Sequence, residues 1–141
     1  MAAPFIAPIG PHAFGRVVVE VDTANANFDG SGTIVTVRAI PATEPNGVLV
    51  RKVTIKALEA TTVGQVALYL SNDAGTTWFP WRAILVSAAT PAAGVAAFEA
   101  QLDDVNDAEL ANGLHVPSGW AVGASTFNAE DMQVHLEYGV M

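Results

Sequence analysis

Short apolar runs with a period of two constrain this chain more than any other feature of its sequence. Val53, Ile55 and Ala57 alternate with polar residues, so an extended backbone places them on one side of a strand and their neighbours on the other. The same alternation returns in residues 132–138, and Gly, Pro, Asn and Asp separate the runs. Helical propensity is confined to residues 104–111. The pattern predicts an all-β fold with a single short helix.

The runs predict eight or nine short strands, a number typical of two packed sheets. They lie at residues 16–21, 33–40, 48–58, 65–71, 78–87, 95–102, 114–116, 120–124 and 132–138. Residues 72–75 have the composition of a hairpin turn. Pro80 interrupts the next run, and because proline cannot donate to a ladder it predicts an edge strand or a bulge. We therefore expect a two-sheet β-sandwich, jelly-roll-like in its topology.

The length of 141 residues fits one domain. We expect an extended N-terminal arm at residues 1–15 and a single β-sandwich domain at residues 16–141, because spaced prolines favour extended chain in the arm. The arm carries four large apolar side chains, Phe5, Ile6, Ile9 and Phe14. Two interpretations stay open: these side chains anchor the arm on a neighbouring subunit or partner, or the arm folds back over its own sandwich.

The composition indicates that part of the surface is covered by other polypeptides. Hydrophobic residues make up 51% of the chain and charged residues 14%, whereas soluble domains average about 25% charged residues. A surface so poor in charge favours self-association or a partner. The alternative is that alanine, which surfaces tolerate, inflates the hydrophobic fraction.

Charge is unevenly distributed along the chain. All six basic residues lie in the first 82 positions, whereas residues 99–137 carry eight acids and no basic residue. An acidic second part argues against direct nucleic-acid binding, because each phosphate contact needs a positive partner. Arg51 and Lys52 are adjacent, and we expect them to contact an acidic partner surface.

The sequence carries no recognisable catalytic apparatus. Without cysteine it offers no disulfide and no thiolate ligand, and its three histidines, His12, His115 and His135, lie far apart. No nucleophile elbow, paired zinc-ligand motif or phosphate-binding glycine loop occurs. No apolar run reaches the roughly 18 residues of a membrane span. We expect a protein that is not an enzyme and has no cofactor, no metal and no membrane segment.

Two ligand-binding alternatives arise from local patterns. Residues 25–30 match the first half of an EF-hand loop, but Thr36 stands where the bidentate glutamate belongs, so a turn is the better interpretation. Whether the acidic residues 103–109 bind calcium is left open. The aromatic residues Trp78, Phe79, Trp81 and Trp120 either form a sugar-stacking platform or divide between core and rim, and the second is favoured. The first corresponds to a carbohydrate- or host-surface-binding module.

Several short motifs are spread over about ninety residues. They are Lys56-Ala57, Thr61-Thr62, Gly64, Phe98-Glu99-Ala100, Pro117-Ser118-Gly119-Trp120, Ala124-Ser125-Thr126 and Asn128-Ala129-Glu130. In this order they resemble a family of small virion structural proteins of tailed phages and phage-like gene transfer agents. Residues 1–45 are not clearly matched. In this context the alternative is a carbohydrate- or host-surface-binding module of a phage tail or fibre.

The resemblance implies a capsid-associated component of the particle head, either a head spike base, a head fibre or a decoration protein. It implies a protein made in the bacterial cytoplasm and located in the virion, where it contacts a capsid protein and a spike or fibre protein. A position at a fivefold capsid vertex implies a homo-oligomer that is a pentamer, and a trimer is the alternative.

Overall fold

A computed structural model describes residues 13–103 and 105–141, which form nine strands and one short helix. The strands are β1 (Ala13–Val21), β2 (Val35–Ala39), β3 (Val48–Ala57), β4 (Gly64–Ser71), β5 (Phe79–Val86), β6 (Glu99–Leu102), β7 (Leu114–Val116), β8 (Ala121–Thr126) and β9 (Met132–Val140), and the helix is α1 (Ala108–Ala111). β1 takes the last three residues of the predicted arm. The rest of that arm, with Phe5, Ile6 and Ile9, lies outside the described residues.

The strands form two antiparallel sheets. One has the order β1-β9-β3-β6, with β7 also pairing β3, and the other has the order β2-β8-β4-β5. The side chains facing between the sheets form one apolar core. The prediction of an all-β, two-sheet β-sandwich with eight or nine strands is therefore confirmed.

Period-two alternation places the core residues as predicted. Val53 and Ile55 of β3 are fully buried and pair across the sheet with Leu136 and Val134 of β9, which are also fully buried. Each such side chain removes apolar surface from water, which contributes roughly 1.5–3 kcal/mol. On the outer side of the same strands, His135 is partly exposed, whereas Thr54, between Val53 and Ile55, is itself buried.

The four-stranded sheet departs from simple alternation because its outer face is also covered. Tyr69 of β4 points away from the core and is nevertheless fully buried, since the chain between β1 and β2 crosses this face. The Tyr69 hydroxyl lies 3.2 Å from the Asn27 carbonyl oxygen and 3.1 Å from the Ser125 hydroxyl. The Asn25 amide donates to the carbonyl oxygens of Ser31 and Thr33, both at 3.0 Å, and so fixes this connection.

β6 and β7 pair with successive halves of β3, and the chain leaves the sheet edge between them to form α1. The helix is shorter than the predicted 104–111. Asp107 caps it by accepting from the backbone N–H of Glu109 at 2.9 Å, and Leu110 inserts into the core. Among the described residues, no helix has the length and apolar character needed to span a bilayer.

The hairpin and the proline are placed as the sequence predicted. Ala74 and Gly75 have φ of 61° and 97°, as expected of a tight turn at residues 72–75. Pro80 lies in β5, the edge strand of its sheet, where the pairing register shifts. Proline is therefore at an edge and a bulge together, where a missing N–H costs least.

Candidate interaction site

The outer face of the five-stranded sheet gathers four of the six basic residues. Arg16 of β1 and Lys52 of β3 flank Glu137 on the intervening strand β9. Lys56 lies further along β3, opposite Gln133. These positions alternate with buried ones, so their side chains share the solvent-facing side of the sheet. We call this surface, with Arg51, the basic face.

Arg51 reaches the basic face through a β-bulge. The register between β3 and β9 shifts between Val50 and Lys52, so Arg51 has no partner residue on β9. A bulge of this kind bends the strand and redirects one side chain. Here it directs Arg51 into a surface pocket of about 610 Å³, lined also by Phe14, Gly15, Arg16, Glu137 and Tyr138.

The structure thus brings two of the predicted interaction residues, Phe14 and Arg51, into one pocket. Lys52 follows Arg51 on β3 and lies opposite Glu137. Phe14 is 75% exposed, an unusual state for a phenylalanine. Phe14 and Arg51 are 37 positions apart in the sequence, so the sequence does not show that they lie close together. It arises because β9 pairs with both of their strands.

Positive charge on the basic face is incompletely neutralised. Arg16 pairs with Glu137, and elsewhere Arg38 pairs with Glu44 while Arg82 pairs with two acids of the α1 segment. Within residues 13–103 and 105–141, Arg51, Lys52 and Lys56 take part in no ion pair. The acids Glu20, Glu99 and Glu137 lie on the same outer face, so four basic and three acidic side chains leave the basic face slightly positive. On a chain of net charge −8, this surface is the one suited to an acidic partner.

His135 lies on the same face, between Val18 and Thr54. Burial chiefly, and then the positive charges of Lys56 and Arg16, hold the pKa of His135 below its usual value. Its ring nitrogen Nε2 lies 3.2 Å from the Gln133 side-chain oxygen. His115 instead lies 2.9 Å from the Asn46 carbonyl oxygen, and His12 lies outside the described residues.

The described carboxylates of the acidic segment 103–109 accept hydrogen bonds from other groups of the protein. Asp103 accepts from the backbone N–H groups of Val105 and Asn106 at 2.9 and 3.1 Å. Asp107 and Glu109 both accept from Arg82, at 2.9 and 2.6 Å. These contacts give the carboxylates structural partners, and Asp104 is outside the described residues.

Three other carboxylates meet without any signal in the sequence. One oxygen from each of Glu20, Asp22 and Asp131 lies within 4.8 Å of the others, because the pairing of β1 with β9 brings the ends of these strands together. Two of the three residues are exposed. Exposed oxygen ligands alone are a weak basis for a metal site, and we assign none.

The tryptophans pack on separate parts of the protein. The ring of Trp78 lies so close to Gly123 that a Cβ there would come within 2.7 Å of it. Trp81 donates its indole N–H to Glu109 at 3.0 Å, and Trp120 packs against the core. All three indoles are partly buried and contact different residues, whereas the sugar-stacking alternative requires exposed indoles side by side.

Motif residues distant in sequence meet at one end of the sandwich. The Glu130 carboxylate accepts from the backbone N–H and the hydroxyl of Thr62, at 2.7 and 2.6 Å. The Asn128 amide donates to the Val63 carbonyl oxygen at 3.2 Å. The Thr61 hydroxyl donates to the Ser87 carbonyl oxygen at 2.7 Å. The contacts of Glu130 and Asn128 tie the β3–β4 and β8–β9 connections together, and the Thr61 contact ties the β3–β4 connection to the end of β5. These motif residues therefore have a structural role.

We expect Glu130→Ala to lower the free energy of unfolding by about 1 kcal/mol, because it removes two charge-assisted hydrogen bonds at a solvent-exposed position. Thr62→Val removes the hydroxyl bond and leaves the backbone bond, so its effect should be smaller. Urea denaturation of both variants measures the order. An effect of Thr62→Val that exceeds that of Glu130→Ala would contradict the assignment.

Comparison of the sequence with protein-family models finds no match, and comparison with curated proteins finds none either.

Proposed function

We propose that this protein is a non-enzymatic structural component of the head of a phage or phage-like particle, where it forms a head spike base, head fibre or decoration. In this proposal it is made in the bacterial cytoplasm, assembles as a homo-oligomer, and docks on the capsid while holding a spike or fibre protein. A pentamer suits a fivefold vertex, and a trimer is the alternative. The support comes from the motif residues, the strand order and the basic face.

The motif residues support the proposal through their contacts. Thr62 and Glu130 belong to two different motifs of the resembled family and bond to each other directly. Gly64 packs against Asn128, since a Cβ at Gly64 would lie 2.6 Å from the Asn128 amide nitrogen. Motif residues that contact each other support the resemblance to this family more strongly than motif residues scattered over the surface would.

The strand order supports a jelly-roll topology. β7 continues the sheet edge that β6 begins, so β6 and β7 together occupy one strand position beside β3. With β7 set aside, the eight remaining strands have the orders 1-8-3-6 and 2-7-4-5. These are the orders expected when a long hairpin rolls up into a jelly roll, an architecture common in viral capsid proteins and also in lectins.

The observation that carries the proposed attachment is the basic face. Arg51 and Lys52 are without ion-pair partners in the described structure, and the exposed Phe14 shares the Arg51 pocket. Charged groups around an apolar contact steer association and fix orientation. We place the capsid-facing side of the protein here.

The double variant Arg51→Gln, Lys52→Gln should reduce incorporation into particles about tenfold or more, because it removes two attractive charges from the contact. The measurement is the amount of the protein per capsid protein in purified particles. Raising the ionic strength should weaken the wild-type contact in the same direction.

The matched control is Asn72→Asp, Ala129→Glu, which lowers the net charge by the same two units at exposed positions off the basic face. It should be incorporated like wild type. Equal loss in both double variants would show a non-specific charge effect, and full incorporation of the glutamine variant would refute attachment through the basic face.

A further inference from the structure

An apolar surface lies on the opposite side of the molecule, on the outer face of the four-stranded sheet. Leu85 of β5 is 76% exposed and pairs with Gln65 of β4, whose carbonyl oxygen accepts from the backbone N–H of Phe127 at 2.9 Å. Phe127 stacks on Phe28 with ring centroids 6.0 Å apart. Phe28 in turn lines a depression of about 240 Å³ with Ala83. We call Phe28, Ala83, Leu85 and Phe127 the β5 surface.

The four side chains of the β5 surface are uncharged. Residues 83–98 contain no charged side chain, although the chain as a whole has net charge −8. Arg82, which also lines the depression, pairs with Asp107 and Glu109, so charge at this edge of the depression is reduced to one net negative charge. Two copies of an acidic protein repel each other least where neither presents charge.

The backbone of β5 is the second feature that favours a contact here. β5 ends its sheet, and within the described residues its strand pairing is with β4. Natural edge strands are commonly protected from pairing by charged side chains or proline. Here Pro80 protects the beginning of the strand, whereas residues 83–86 carry no such protection. A further strand or a flat apolar surface can therefore approach this half of the edge.

We propose that the β5 surface is where a second copy of this chain docks. A second copy fits because it is uncharged at the same place, and because a chain with only 14% charged residues leaves apolar surface to cover. This inference rests on the proposed homo-oligomer and assigns its subunit contact, leaving the basic face free for the capsid.

The variant Leu85→Lys should raise the dissociation constant of the homo-oligomer at least about tenfold, since it buries an unpaired charge in a neutral contact. Sedimentation velocity of the full-length protein over a concentration series measures this. Leu85 is exposed in the single chain. The variant monomer should therefore have the same thermal unfolding midpoint as the wild-type monomer.

The matched control is Val18→Lys, which places the same charge at an exposed apolar position on the other sheet and should leave the assembly intact. A wild-type monomer at every concentration would overturn the inference, as would unchanged assembly of Leu85→Lys or equal dissociation of both variants. If Leu85→Lys assembles normally while particles still incorporate the protein, the docking surface alone fails. If it dissociates but the wild type never enters particles, the proposed virion role fails instead.

Discussion

Leu110→Ala is expected to lower the free energy of unfolding by about 3 kcal/mol, the cost typical of removing a fully buried leucine. Leu110 is fully buried although it belongs to a helix of four residues, too short to be stable by itself. Its side chain holds α1 against the core between β6 and β7. The cavity left by alanine should therefore loosen the whole segment 103–113.

Chemical denaturation measures this loss, and hydrogen exchange shows whether segment 103–113 opens more readily than the sheets. Val105→Ala is the matched control, because Val105 lies five residues away and is 89% exposed. It should change the free energy of unfolding by less than about 0.5 kcal/mol. A similar loss in both variants would mean that α1 is not held by Leu110.

Asp107→Ala is expected to cost about 2 kcal/mol, because one carboxylate has two structural roles. It caps α1 by accepting from the backbone N–H of Glu109. It also accepts from Arg82 Nε at 2.9 Å, which links α1 to the edge of the other sheet. Arg82 is about one third exposed, so part of the loss is relieved by water, which keeps the expected cost below that of a fully buried pair.

The same carboxylate gives the effect a defined pH dependence. The hydrogen bond from Arg82 chiefly holds the pKa of Asp107 below its usual 3.8. A lowered folded-state pKa means that the contribution is fully present from about pH 5 upward, well above the usual pKa, and is lost as the pH falls through the folded value. The difference in unfolding free energy between wild type and Asp107→Ala should therefore be constant near neutral pH and shrink in acid.

Glu109→Ala is the control that removes a partner of Arg82, together with the acceptor of the Trp81 indole N–H, and leaves the helix cap in place. Glu109 also pairs with Arg82, but it is far more exposed than Asp107 and caps no helix, so its loss should cost about 0.5 kcal/mol. Equal costs for the two variants would contradict the capping role. A pH-independent difference for Asp107→Ala would contradict the stabilising contact with Arg82.

Much of the local structure was predictable because an extended chain sends successive side chains to opposite sides. Val53, Ile55 and Leu136 follow this rule and fill the core, as predicted. The hairpin at residues 72–75 and the bulged edge at Pro80 were also predictable, since left-handed φ values and a missing N–H are local properties. These predictions need no knowledge of which strands are neighbours.

The candidate surfaces could not be predicted from local pattern in the same way. Arg51 and Lys52 are predicted interaction residues because of their charge and Phe14 because it is an apolar anchor, but no local pattern indicates that they lie together. Leu85 is one more residue of a predicted strand, and no alternation marks the β5 surface. The one signal in the sequence is the run of residues 83–98 without a charged side chain.

The strand-rich character of this protein, its inward residues and its turns follow from residue period and turn chemistry, because both act over a few positions. The place of β9 between β1 and β3, which creates the Arg51 pocket, and the cover of the β1–β2 connection over Tyr69 emerge only in the folded chain. Both features depend on pairing between distant segments, and β1 and β9 are more than a hundred residues apart. Such pairing is selected by the packing of the whole core, and local pattern does not encode it.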